Sequence, residues 1–194
     1  MSLLYLNLIG ILRIAMLDLK HQEHTKKESL EASLKLKIVD STFETVFDSI
    51  TKVASEICGT PIAIISLIDD KRQWFIANVG FGSDYQPSKE VSFCTHTIQN
   101  DVLLEVPDAT QDDRFMDNPL VTGNPEIRFY CGAPIKLPMG EIIGSLCVID
   151  TVTRYLNETQ RIALKGLANV TADLLVAREV NICSRTKETT LDFI

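Results

Sequence analysis

The sequence predicts an α+β domain, an antiparallel sheet covered by helices on its faces. Three observations predict it. Two amphipathic helices each open on a capping box, Ser41-x-x-Glu44 and Asn157-x-x-Gln160. Between them lie two pairs of β-branched apolar runs, each pair joined by a short turn. A stretch rich in Asp, Asn, Pro and Gly, residues 107–126, separates the pairs. Strands followed by strands, with helices before and after, give a layered sandwich rather than a parallel βαβ sheet.

Behind Ser41 the apolar residues Phe43, Val46, Phe47, Ile50, Val53, Ala54 and Ile57 recur at helical spacing, and Gly59 stands at the position just past a helix end. This predicts a helix over 42–57. The run Pro61–Asp69, the polar turn Asp69-Asp70-Lys71 and the run Gln73–Val79 then read as a hairpin closed by Gly80 and Gly82. Residues 91–100 have weaker helical character, and 103–106 read as a short strand. The loop over 107–126 is long for a compact domain, and such loops are usually functional or mobile. Strands over 127–136 and 141–150 follow, joined by Leu-Pro-Met-Gly140 with glycine where a positive φ is easiest. The second capping box opens a helix to about 182 with Ile162, Leu164, Leu167, Val170, Leu174, Leu175 and Ile182 on its apolar side. The strands are apolar enough to be covered on both faces. Terminal helices can cover one face, and residues 80–126 must cover the other, which leaves a place for a cavity.

Composition bounds the partners. The chain has 194 residues, 45% apolar and 23% charged, which is globular. A net charge of −7 and no basic run longer than Lys26-Lys27 or Lys71-Arg72 argue against nucleic acid, whose phosphates need a concentrated basic surface. Cysteines stand at 58, 94, 131, 147 and 183. Their odd number, the lack of a C-x-x-C and their apolar settings predict free thiols in a reducing, cytoplasmic setting, with no disulfide, metal or cofactor.

Residues 1–40 form an apolar segment followed by a charged linker. Leu3–Leu19 is interrupted by Asn7, Gly10, Arg13 and Asp18, short of the ~20 apolar residues of a membrane span. It lacks the basic start of a secretory signal. A helix packing on a partner chain, a leader upstream of a start at Met16, and a cloning remnant are three open readings. Residues 41–182 are then the domain, and 183–194 a polar tail that frays.

Five ordered motifs carry a resemblance. Ser92-Phe-Cys-x-His96, Val106-Pro-Asp-Ala-Thr-x-Asp-x-Arg-Phe115, Asn118-Pro-Leu-Val-Thr-Gly123, Ile127-Arg-Phe-Tyr-x-Gly-Ala-Pro134 and Gly144-x-Leu-Cys-Val-Ile-Asp150 together resemble a GAF domain. They match the branch found beside bacterial sensor kinases and diguanylate cyclases. The resemblance implies a six-stranded antiparallel sheet between helical layers, a ligand cavity on one side, and dimerisation through the terminal helices. Two departures narrow it. The chain has no Asn-Lys dipeptide of the cyclic-nucleotide-binding members, and Thr95 separates Cys94 from His96 where bilin-binding relatives have adjacent Cys and His.

The candidate ligand contacts are Trp74, His96, Asp108, Asp113, Arg114, Arg128 and Tyr130. Strand alternation puts Arg128 and Tyr130 on one face, offering a cation and a hydroxyl to one space. Arg114 or Arg128 could hold an anion with its guanidinium fork. The plainer reading of Asp108, Asp112 and Asp113 is turn chemistry, with Asp113 pairing Arg114 or Arg128. Cys94 and His96 lie two residues apart, about 200° around a helix, so they do not share a proton or a metal. No catalytic residue is expected. The favoured function is a non-catalytic module that senses a small molecule of anionic character. It would act as a homodimer and pass its signal through the terminal helices to a dimer partner or an output domain, with action alone, action on an output protein in trans, and a fragment of a longer chain as open readings. The alternatives are a thiol enzyme reducing free methionine sulfoxide with Cys94 and Cys131, and an empty dimerisation scaffold.

Overall fold

The computed structural model describes residues 41–68, 73–82 and 88–191, with side chains over 45–68, 73–82 and 88–178. The expectations for residues 1–40, for the turn at 69–71 and for the side chains of Ser41, Glu44 and Cys183 lie outside these. Internal contacts divide the chain into a unit of Val39–Asn181 and another of Met1–Ile38 with Ile182–Ile194. The fold and the site below both belong to the first.

Helix α1 spans Ser41–Cys58 and buries Phe47, Ile50, Thr51, Ala54 and Cys58, which recur every three or four residues. Gly59 ends it as predicted. Its φ of 65° lets the amides of Gly59 and Thr60 turn back to the carbonyls of Glu56 and Ser55. The hairpin follows as β1 (Ile62–Ile68) and β2 (Gln73–Val79). Their register slips between Ile65 and Ser66, so Ile76 bulges from β2. Helix α2 (Phe93–Thr97) is capped by Ser92, whose Oγ accepts from the Cys94 amide. After β3 (Leu104–Val106) the chain turns repeatedly and makes one helical turn, α3 (Pro119–Thr122), capped by Asn118. Strands β4 (Phe129–Lys136) and β5 (Ile142–Asp150) form the second hairpin, with Gly140 at a φ of 94° in its turn. Helix α4 runs from Glu158 to Leu191, beyond the predicted end near 182. Its capping box is reciprocal: the Gln160 amide donates to Asn157 Oδ1 and the Asn157 amide to Gln160 Oε1, both at 2.9 Å.

The sheet order is β2-β1-β5-β4-β3 with every neighbouring pair antiparallel. Five strands are present among the described residues, where the resemblance implied six.

Register sorts the strand residues onto two faces. Ile62, Ile64 and Ser66 of β1 stand beside Ser145, Cys147 and Ile149 of β5, and these beside Tyr130 and Gly132 of β4. This set meets α2 and the loop, packing with Phe93, Phe115, Leu120 and Ile127. The intervening residues, including Ile65, Leu67, Cys131 and Leu146, face the terminal helices. Glu105, opposite Cys131 in the register, accepts from Arg161 Nε of α4 at 2.7 Å and fixes which face that helix covers. Coverage on both faces explains why every residue of β1 is buried.

Candidate functional site

The loop face of the sheet carries more polar side chains than a packing core needs. Ser66 and Ser145 are cross-strand partners with hydroxyls 3.2 Å apart. Two residues along β5, on the same face, Cys147 Sγ lies 3.8 Å from Cys94 Sγ of α2. Tyr130 OH and Thr97 Oγ1 are 2.6 Å apart. All six residues are buried. They form a seam that ties α2 to the three central strands, so buried polar atoms here satisfy one another.

The seam sets the chemistry of its thiols. A hydrogen bond from Cys147, joined by ones from Ser145, Ser66 and Tyr130, favours a Cys94 thiolate and overcomes desolvation, bringing its pKa to about 6. The same contact with Cys94, added to burial, pushes Cys147 well up. Burial, with the neighbouring Cys94 and Cys147, also raises Tyr130.

Cys131 does not belong to this group. It sits on β4 with parity opposite to Tyr130, so its thiol lies on the helix face, where burial pushes its pKa up. The pairing of Cys94 with Cys131 required by the sulfoxide-reductase alternative is therefore corrected: the thiol facing Cys94 is Cys147. The four described cysteines, 58, 94, 131 and 147, are free.

A rim of partly exposed groups borders the seam. Arg114 donates from Nε and Nη2 to Asp112, at 2.8 and 2.6 Å, and lies 5.1 Å from the Phe115 ring centroid. Phe115 stacks on Phe93 at 4.0 Å and receives the His96 ring edge-on at 4.8 Å. Partial burial, then the Arg114 charge, lower the His96 pKa, against an opposing pull from Asp112. Cys94 and His96 thus face different surroundings, as their spacing predicts.

The other candidates serve the backbone or lie elsewhere. Asp108 Oδ1 accepts from the amide and hydroxyl of Thr110 at 3.0 and 2.7 Å, a turn of the expected kind. Asp113 is exposed and forms no ion pair with Arg114 or Arg128 among the described residues. Arg128 Nη1 donates to the carbonyls of Val121 at 2.9 Å and Ile127 at 3.2 Å, holding the loop down by its backbone. It precedes β4, and Tyr130 is sealed in the core, so the two do not share an opening. Trp74 pairs with Leu67 and so stands on the helix face, away from the other six.

Gln73, one residue earlier, was not anticipated. It opens β2 opposite Ile68, on the loop face, with only 7% of its surface exposed. Among the described residues, neither its Nε2 nor its Oε1 has a hydrogen-bond partner. An unsatisfied buried amide group costs about 1–3 kcal/mol, so this carboxamide calls for a partner that the described residues do not supply. Strand parity relative to Ser66 was the available signal, and the bulge at Ile76 obscured it.

A family model for the GAF domain matches residues 42–175. The chain belongs to the GAF domain family. A cyclic di-GMP phosphodiesterase of Pseudomonas aeruginosa is 42% identical over 132 residues, 68% of this chain but only 22% of that protein. Among solved structures, the GAF domain of a phosphoenolpyruvate-protein phosphotransferase from Coxiella burnetii is similar at a TM-score of 0.63 and 14% identity, covering 80% of this chain and 95% of that one. A type II free methionine-R-sulfoxide reductase from Thermoplasma acidophilum is similar at 0.59 and 12%, covering 70% and 93%. These two likenesses speak to the GAF fold alone. No helix among the described residues of this GAF domain is long and apolar enough to cross a membrane.

Proposed function

We propose that this GAF domain is a non-catalytic sensor of a small molecule that works as a homodimer and relays occupancy to a signalling output. The observation that carries the ligand is Gln73. Its buried carboxamide offers a donor pair and an acceptor to the loop face, beside the partly exposed, edge-to-face pair Phe75 and Phe81. A few convergent polar groups on an apolar wall suit a small ligand with both hydrogen-bonding senses. The relay reading draws support from the Pseudomonas relative, in which the matching segment is part of a much larger cyclic di-GMP phosphodiesterase.

The dimer reading rests on apolar residues left outside. Val46, Val53 and Ile57 are exposed on α1, within a narrow stripe about 100° from its core-facing side. Ile162 and Val170 are exposed on α4, whose start is tied to α1 by Gln160 Nε2 donating to the Ile57 carbonyl at 3.0 Å. Burying such stripes against a second copy returns about 25 cal/mol per Å² of apolar surface.

Native mass spectrometry of the protein purified without added ligand tests the sensor. A bound small molecule retained by the parent and lost from Gln73→Leu is expected, while the unliganded variant is at least as stable as the parent because an unpartnered amide has been replaced by an apolar group. Gln73→Leu that keeps the ligand, or that lowers unliganded stability, would sink the reading. Light scattering at roughly tens of micromolar tests the dimer, with Val53→Glu expected to shift it toward monomer. A monomeric parent overturns it.

A further inference from the structure

We propose that Cys94 and Cys147 form an oxidant-responsive thiol pair, a modification site at which a hydroperoxide joins α2 to β5 through a disulfide. The geometry carries this. The two Sγ atoms are in van der Waals contact at 3.8 Å, on elements separated by 53 residues in sequence. A disulfide requires about 2.05 Å, an approach that side-chain rotation and a small shift of a five-residue helix can supply. No strand has to break, because Cys147 keeps its ladder positions opposite Ile64 and Gly132.

The surroundings divide the roles. Both residues are buried, but Cys94 keeps 4% of its surface exposed and Cys147 none, which makes Cys94 the one nearer to solvent and the first to meet a small oxidant in the proposal. The Cys147 thiol, and after it the hydroxyls of Ser145, Ser66 and Tyr130, favour the Cys94 thiolate, the nucleophilic form. That thiolate attacks one peroxide oxygen, the O–O bond breaks, and the departing alkoxide takes a proton to leave as alcohol, or as water from hydrogen peroxide. Cys94 is then a sulfenic acid. The Cys147 sulfur attacks it, the S–S bond forms, and the sulfenic oxygen leaves as water with the Cys147 proton. In sum, two thiols and one hydroperoxide give one disulfide, one alcohol and one water. Cys58 and Cys131 are excluded, since the sheet lies between them and this pair.

The consequence is local and mechanical. Cys94 stands between Phe93, which stacks on Phe115, and Thr97, which binds Tyr130. Drawing Cys94 onto β5 moves both contacts, and with them the packing of the loop face.

The test uses the full chain, reduced and then treated with stoichiometric hydrogen peroxide. After quenching, thiols are counted under denaturing conditions and the peptides mapped by mass spectrometry. Two thiols should be lost, a Cys94–Cys147 peptide should appear, and a dithiol reductant should restore both thiols. Cys147→Ser keeps the size and hydrogen bonding of the site, and there dimedone should trap Cys94 as the sulfenic acid. Cys131→Ala should still yield the disulfide. An unchanged thiol count, a disulfide mapping to another pair, or a Cys147→Ser chain that still loses two thiols to a disulfide would each overturn the proposal.

Discussion

Tyr130 OH lies 2.6 Å from Thr97 Oγ1, and both groups are fully buried in a space that exists because residue 132 is glycine. A Cβ at position 132 would stand 2.3 Å from the Tyr130 hydroxyl and 2.6 Å from Thr97 Oγ1. The pair joins β4 to α2 and so helps to hold the helix that carries Cys94. Tyr130→Phe leaves the Thr97 hydroxyl buried without this partner, at a cost of about 1–3 kcal/mol. Denaturant unfolding should show that loss. Adding Thr97→Val should cost less than the sum of the two single changes, because the second removes the group that the first stranded.

Arg128 and Asp113 separate cleanly. Arg128 spends a guanidinium nitrogen on the carbonyls of Val121 and Ile127, whereas Asp113 is exposed. Arg128→Ala should lower stability by about 1.5–3 kcal/mol, the usual worth of hydrogen bonds to a charged group. Asp113→Ala should change it by less than about 0.5 kcal/mol, as surface substitutions do. Equal losses in the two variants, read by thermal unfolding, would show that the arginine is held by the acid instead.

What could be read from the sequence was what is decided locally. The Asn157–Gln160 box, the glycine after α1 and the glycine of the β4–β5 turn each depend on residues within a few positions of one another, and each formed as expected. The seam depends on register. Cys94 meets Cys147 because β5 pairs with β1 so that Ser145 stands opposite Ser66, and nothing near either cysteine specifies that alignment. Alternation alone did separate Tyr130 from Cys131, and would have excluded Cys131 as the partner of a thiol on the Tyr130 side. Trp74 and Gln73 exchanged importance for the same reason: adjacent strand residues face opposite ways, and the bulge at Ile76 resets which way is inward.

His96 should make folding pH-dependent. Its pKa is lowered in the folded chain, first by burial and then by Arg114. The unfolded chain therefore binds more protons as pH drops below about 6.5, the ordinary histidine value. The stability associated with neutral His96 is fully present above that value, and declines as pH falls toward and through the lowered one. Asp112, the acid facing the same ring, is itself held below the ordinary carboxylate range by Arg114, so its titration falls lower. Melting temperature should drop on acidification from neutrality, and His96→Gln should flatten the part of the curve just below the histidine value. An identical curve in the variant would assign that dependence to other groups.

Two glycines should respond to alanine with opposite signs. Gly144 lies in β5 where it crosses β1, and a Cβ there would stand 2.0 Å from the Ser66 carbonyl oxygen and 3.0 Å from the Leu67 Cα. Both neighbours are backbone of a strand buried along its length, so neither can move without disturbing the β1–β5 ladder and the Ser66–Ser145 pair. Gly144→Ala should cost more than about 3 kcal/mol, among the larger effects of a single substitution. Gly166 is helical and exposed, with nothing within 4 Å of the position its Cβ would take. There alanine only removes the conformational freedom of the unfolded chain and improves helix propensity, so Gly166→Ala should add about 0.5–1 kcal/mol. Chemical denaturation of the two variants at a concentration where the parent's assembly state is unchanged gives the comparison. Gly166 falls between Ile162 and Val170 on the exposed side of α4, so a destabilising Gly166→Ala would mean that another surface closes on that stripe.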